Sequence, residues 1–266
     1  MVLKKWINRI FWSLFFVGTI FLMGFAKKHQ AEQIMETPDI KITIQDDLVL
    51  LTKEELLERI TSHQFFQNGM TRNEVRLKEM EQFLLEQEEI QEVDVYKKLG
   101  NQWTVKVLLK RPIARILLPN SDGFYIDNRG LLMDIPANFR PRVLTVTGLE
   151  KLIPKSFQLK NVINNDSLIT KYKLDETYRI SNYVCNSAFY DAQIVQLHYD
   201  EQDGFVLIPR VGGHQIVFGM ANSDEAVAKK FGKLTTFYEE VIPYEGWNTY
   251  QSINLRYKNQ IVAKKK

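Results

Sequence analysis

The chain is poor in the residues that staple or arm a protein: across 266 residues it has one cysteine and four histidines. The lone Cys185 excludes an intramolecular disulfide framework, and with it any metal site built on cysteines. In "SNYVCNSAF" it reads as a small apolar residue on a helix face. His29, His63, His198 and His214 fall on separate elements without H-E-x-x-H or similar spacing, so no metal is expected. A G-x-S-x-G elbow is missing, and so is a phosphate-cradling loop, since no glycine-rich run precedes Gly232-Lys233. Excess charge is missing too: 35 Lys+Arg against 32 Asp+Glu give +3, and setting aside Lys4, Lys5 and Arg9 leaves zero. A balanced chain lacks the basic face that nucleic-acid binding needs. Asp122, Asp127 and Asp134 lie close together, but "DGFYIDNRGLLMD" lacks the alternate oxygens and distal bidentate acid of a calcium loop. These carboxylates are expected to stabilise turns. No catalytic residue and no cofactor is expected.

What the chain does have is an apolar run, "IFWSLFFVGTIFLMGFA", covering residues 10–26 without a charge. At about 1.5 Å per residue it reaches about 25 Å, close to the lower limit for a transmembrane helix. Trp6 and Trp12 suit the interfacial belt, and the lysines at both ends can snorkel. Gly24 and Ala26 also suit signal-peptidase cleavage; against that, the run exceeds a usual signal core and stays bulky to its end. Lys4, Lys5 and Arg9 against Lys27 and Lys28 lean toward a cytoplasmic N-terminus, with most of the chain outside the cytoplasm.

Beyond a polar linker around Pro38, Ile40, Ile42 and Ile44 alternate as a strand. "TKEELLERITSHQ" follows as a helix with Thr52 and Glu55 in capping-box spacing, and a second helix is predicted from Asn73, carrying Leu77, Met80 and Leu84. "IQEVDVYKKL" and "QWTVKVLLKR", joined through Gly100 and Asn101, predict a hairpin. Strand, helix, helix, strand, strand is the order of a POTRA module. Pro112 then interrupts the pattern and predicts a passage into a second, strand-rich domain. Residues 161–188 read as helical with poor periodicity. "AQIVQLHYD", "GFVLIPRV" and "HQIVFGM" predict an antiparallel meander, and Val227, Phe231, Leu234, Phe237 and Val241 mark a helix capped by Ser223. Gly232 inside that helix predicts close packing against the sheet.

The expected fold class is α+β: a single transmembrane helix, a POTRA-like β-α-α-β-β module, and an antiparallel β-rich domain with a C-terminal helix and terminal edge strand. The expected divisions are 1–9 (cytoplasmic tail), 10–26 (transmembrane helix), 38–112 (POTRA-like), 113–260 (β domain) and 261–266 (basic tail). The edge strand is expected in "SINLRYK", where Ile253, Leu255 and Tyr257 alternate with polar neighbours. An edge is either a template for another chain's strand or a hazard to be blunted by lysines such as Lys258 and Lys264 to Lys266.

Four stretches together resemble the bacterial cell-division family FtsQ/DivIB: "LLKRPIAR", with Arg111, Pro112 and Ala114; "FYIDNRGLLM", with Tyr125, Asp127 and Gly130; "HQIVFGMANSDEAVAKKFGKL", with Gly219; and "INLRYKNQIV". The sequence departs from the family in having Asn254 where Asp is common, and in the turn after the first POTRA strand. The resemblance implies a non-catalytic, inner-membrane divisome scaffold whose partners are FtsB-like and FtsL-like bitopic proteins and other division components. It further implies partner binding by strand addition through Ile253, Leu255, Arg256, Tyr257 and Lys258. The competing readings are a scaffold of another envelope assembly or secretion machine and a membrane-anchored hydrolase.

Overall fold

The computed structural model describes residues 2–45, 49–119, 121–135, 140–154, 158–162 and 165–266, without the side chains of residues 2–5, 7–10, 121, 122 and 160. The predicted roles of the Asp122 side chain and of the N-terminal basic side chains lie outside these. The chain divides into two compact units, one of residues 1–44 and 51–109, the other of residues 45–50 and 110–266.

The first unit opens with a continuous helix, α1 (Val2–Ala31), longer than the apolar run that nucleates it. Its segment Phe11–Ala31 is long and apolar enough to cross a membrane. A short extended stretch, bridged at Ile34 to Thr71, leads into β1 (Asp39–Thr43). Helices α2 (Lys53–Ser62) and α3 (Leu77–Leu85) follow, then β2 (Ile90–Lys97) and β3 (Trp103–Leu109). The α2 capping box forms as expected: Glu55 N donates to Thr52 Oγ1 at 3.2 Å, and Thr52 N donates to Glu55 Oε2 at 2.9 Å. The second helix starts four residues later than Asn73. Residues before it are held elsewhere, because Arg72 N donates to Gln33 O at 2.8 Å and Asn73 N to Ala31 O at 3.3 Å. The stretch leading to the expected linker around Pro38 is therefore tied to residues 71–73.

Strand β3 is the middle of a three-stranded sheet, parallel to β1 and antiparallel to β2. The alternation read from sequence sets its faces, so Val105 and Val107 are buried with Leu56, Ile60, Met80 and Leu84 of the two helices, whereas Lys106 is exposed. Trp103 fills the end of this core against Phe66, and its indole donates to Glu36 O at 2.7 Å. Removing that donor's partner would leave a buried N–H unsatisfied, which is why Trp here is fixed as well as buried.

The second unit contains β4 (Pro112–Leu118), β5 (Ser121–Asp127), β6 (Leu132–Met133) and β7 (Leu144–Thr147), then helices α4 (Leu159–Val162), α5 (Asp166–Lys171), α6 (Leu174–Cys185) and α7 (Ala188–Gln193). The meander β8 (Ile194–Asp200), β9 (Gly204–Pro209) and β10 (Gln215–Gly219) comes next, followed by α8 (Asp224–Glu240), α9 (Ile242–Glu245), β11 (Tyr250–Asn254) and β12 (Val262–Lys265). The segment of poor periodicity resolves into short helices because Asn165 and Ser187 each cap a new start, at Leu168 N and Tyr190 N.

The nine strands form one sheet in the order β12-β11-β10-β9-β8-β7-β4-β5-β6. Most pairings are antiparallel, including the predicted meander, but β4·β7, β7·β8 and β10·β11 are parallel. Each parallel step needs a crossover, and the β7–β8 and β10–β11 steps use helices for it. One sheet face carries Ala114, Ile116, Val146, Leu197, Leu207 and Phe218 into a core shared with Ile180, Phe231 and Leu234 from α6 and α8. The opposite face carries a polar row, in which Gln196 Nε2 donates to Thr147 Oγ1 at 2.8 Å and His198 Nδ1 lies 2.9 Å from that oxygen.

Gly232 of α8 does not meet the expectation of close packing: a side chain there would have no neighbour within 4 Å. Nothing in the structure explains the glycine. Cys185 sits at the end of α6, as expected on a helix face, with its thiol donating to Asn182 O at 3.3 Å.

Candidate functional site

The sequence motifs gather at two places in the second unit. The first is the junction of β4 and β5. Pro112 opens β4, where it needs no ladder donor, and faces Asp127 at the end of β5. Ala114 is fully buried opposite Ile126. Asp127 is also fully buried, and its Oδ1 accepts from Arg129 N at 2.9 Å and Leu131 N at 2.8 Å. The expected turn-stabilising carboxylate is thus an internal cap on the β5–β6 hairpin. Gly130 takes φ +81 beneath the ring of Tyr178, whose hydroxyl donates to Asn128 O at 3.2 Å. Arg111 Nη2 donates to Cys185 O at 3.3 Å, and its own carbonyl accepts from Asn128 N at 2.8 Å. Tyr125 is buried beside Arg115, and burial holds its phenol above the ordinary range. Arg111, Pro112, Asp127 and Gly130 therefore form one structural knot that joins β4, the hairpin and α6.

The second place is a corner after β11. The expected edge strand through Lys258 is corrected here, because β11 ends at Asn254. The Asn254 side chain turns the chain: its Oδ1 accepts from Arg256 N at 3.0 Å and from Arg256 Nε at 3.3 Å. Ile253 and Leu255 are fully buried and support the corner from below, so their side chains are not contact surface. Arg256, Tyr257 and Lys258 are exposed on it. β11 is also not an edge. It lies parallel to β10 on one side and antiparallel to β12 on the other, so the expected basic tail of 261–266 contains the outermost strand.

Two lysines of α8 hold this corner. Lys233 Nζ donates to Leu255 O at 2.9 Å and Tyr257 O at 2.6 Å, and Lys230 Nζ donates to Phe218 O at 2.7 Å and Met220 O at 2.6 Å. Burial holds both ammonium groups below the ordinary lysine range. Arg256 pairs with Asp203 at 2.9 Å and crosses Gly219, whose φ is +75. A side-chain carbon at Gly219 would stand 2.7 Å from Arg256 Cγ, so glycine answers both the backbone conformation and the approach. Sequence reading did not assign Lys230, Asp203 or β12 a place here. The alternation of Ile261 and Ala263, both packed on the core, was the signal for β12.

A buried histidine lies at the opposite end of β10. His214 is only 1% exposed, its Nε2 lies 3.0 Å from the Tyr238 hydroxyl, and its ring stacks near Trp247. Burial pushes the imidazole below its ordinary 6.5. The unfolded chain therefore takes up a proton as pH falls through 6.5 while the folded chain resists, so stability is flat above that pH and falls below it. We expect the unfolding free energy from urea titrations to drop between pH 7.5 and 5.5, with a slope of up to about 1.4 kcal/mol per pH unit, and His214→Gln to lose that part of the slope.

One membrane-length helix among the described residues, two α+β units and a pinned surface corner beside an outermost strand fit a membrane-tethered interaction scaffold. Residues 111–264 match the family described as "FtsQ/DivIB, C-terminal related", which is more than half of the chain. The protein belongs to the FtsQ/DivIB family, and its role is that of a scaffold in cell division. No curated protein matches the chain by sequence.

Proposed function

We propose that the protein docks bitopic FtsB-like and FtsL-like division partners by strand addition, and so links early division proteins to septal wall synthesis. The observation that carries this reading is the outermost position of β12. Lys266 N donates inward to Thr249 O at 3.1 Å, so by alternation the N–H groups of Lys265 and Ala263 point away from β11, where another strand can accept them. The corner residues Arg256, Tyr257 and Lys258 adjoin that edge and supply specificity, and Lys264 and Lys266 favour an acidic partner segment, while Lys265 pairs with Glu245 at 2.8 Å. The anchor runs N-terminus inside, through the inner membrane, placing both units on the outer side at the division site. Residues 38–112 act as the POTRA-like recruitment module and 113–260 as the β domain, with the edge strand extending past that boundary.

The test is site-specific photocrosslinking in cells from Val262 and from Tyr257, with exposed Lys106 of β3 as the control position. Capture of a small bitopic coiled-coil protein from Val262 and Tyr257 alone supports the reading. Equal capture from Lys106, or none from either C-terminal position, overturns it.

A further inference from the structure

The end of α1 and the first unit form a cleft of about 530 Å³ lined by Gly24, Lys27, Lys28, Arg72, Asn73 and Lys97, among others. Four of these side chains are cationic. Lys27 and Lys28 have an ordinary explanation, since lysines at the end of a spanning helix snorkel toward headgroups. Arg72 and Lys97 do not share it, because they come from the folded module. Lys97 Nζ donates to Arg72 O, and also to Val75 O at 3.3 Å, while Arg72 Nη1 donates to Lys98 O at 2.9 Å and Gly100 O at 2.7 Å. Their partners are thus all neutral carbonyls. Desolvation first, and then the Arg72 charge, hold the Lys97 ammonium below the ordinary lysine range. The nearest carboxylates in sequence are occupied: Glu74 accepts from Thr71 N and Oγ1 at 2.7 and 2.8 Å, and Glu32 lies 4.0 Å from Lys28.

The cleft's depth follows from the helix. The apolar run ends at Ala26, and the Asn73 N to Ala31 O bond fixes the module five residues further on, about 7.5 Å along the axis at 1.5 Å per residue. The headgroup layer on each side of a bilayer is about 5–8 Å thick. Arg72 and Lys97 therefore lie at the level of lipid phosphates, facing the same cleft as Lys27 and Lys28.

We propose that this cleft binds the phosphodiester headgroup of an anionic phospholipid and so seats the first unit on the membrane surface. The bound group is the phosphate, with Arg72 and Lys97 supplying hydrogen-bond donors from the module and Lys27 and Lys28 closing the site from the helix. The assignment is independent of the strand-addition reading and rests on α1 spanning a bilayer.

Native mass spectrometry of the full-length protein in detergent, titrated with phosphatidylglycerol or phosphatidylcholine, tests it. The wild type should prefer phosphatidylglycerol. Each cation near the surface contributes about five-fold, so Lys27→Gln/Lys28→Gln and Arg72→Gln/Lys97→Gln should each weaken phosphatidylglycerol binding about twenty-five-fold, and weaken phosphatidylcholine less, because its choline cation opposes the same side chains. Lys53→Gln/Lys106→Gln removes the same charge from exposed positions outside the cleft and should change nothing. The helix pair cannot unfold the module, so it keeps the test decisive if the Arg72/Lys97 variant folds poorly. Equal affinity for both lipids, equal weakening by the Lys53/Lys106 pair, or displacement of the lipid by millimolar inorganic phosphate would overturn the proposal.

Discussion

Ala263→Pro is expected to abolish partner capture while leaving the second unit folded. Proline removes one backbone N–H, and at Ala263 that N–H points away from β11 into the free side of the sheet. The substitution therefore takes a donor from an incoming strand and none from the existing ladder. The ring also obstructs the approach of a neighbouring strand, which is why proline is tolerated on edges and excluded from strand interiors. Lys264→Pro is the matched control. By the same alternation its N–H faces inward, so it should lower the stability of the β11·β12 pairing as well as binding. Co-purification of the partner, read beside the urea midpoint of each full-length variant, separates the two. If Ala263→Pro retains the partner at wild-type levels, strand addition on this edge is wrong and the exposed corner at Arg256 to Lys258 must carry any docking alone.

Asp127→Ala should destabilise the second unit by about 3 kcal/mol, because charge-assisted hydrogen bonds contribute about 1.5–3 kcal/mol each and two are lost together. The carboxylate is fully buried and accepts from the backbone N–H groups of Arg129 and Leu131. Alanine leaves those donors without an acceptor inside the hairpin and removes the partner of the Arg129 guanidinium, whose Nε lies 3.4 Å from Oδ2. Asp127→Asn keeps an oxygen at the same place and should cost about half as much. Chemical denaturation of the full chain in micelles measures both. A loss below about 0.5 kcal/mol for the alanine variant, the size of an ordinary surface substitution, would mean that water replaces the carboxylate.

The two predictions also separate what each motif contributes. The Asp127 knot joins β4, β5 and α6 and acts on stability. The corner and β12 lie at the other end of the sheet order and offer surface. Strand β12 is short and ends in lysines, so the edge carries the usual protection against indiscriminate pairing and still leaves outward donors for a selected partner.

Elements whose cause is local were legible in the sequence. The α2 capping box needs only Thr52 and Glu55, three residues apart, and α8 needs only Ser223 and the spacing of Val227, Phe231, Leu234 and Phe237. The apolar run defines a membrane-length helix because length and the absence of charge decide that alone. The meander was legible as well, since Asp203-Gly204 and Gly212-Gly213 force the chain to reverse between apolar strands.

The parallel pairings, the true edge and the cationic cleft were decided by tertiary structure. Alternation runs unbroken from Ile253 to Tyr257, but the Asn254 side chain bends the backbone and Lys233, twenty-two residues earlier than Leu255, fixes the bend. A four-residue strand such as β12 has little preference of its own and exists through its pairing with β11. Arg72 and Lys97 meet only because the tie to Ala31 and Gln33 and the β2·β3 hairpin bring them together. Sequence by itself determined the membrane-length helix, the capped helices, the turns and the family; which strand is outermost and which charges share a cleft depend on contacts between distant residues, whose pairing no local pattern encodes.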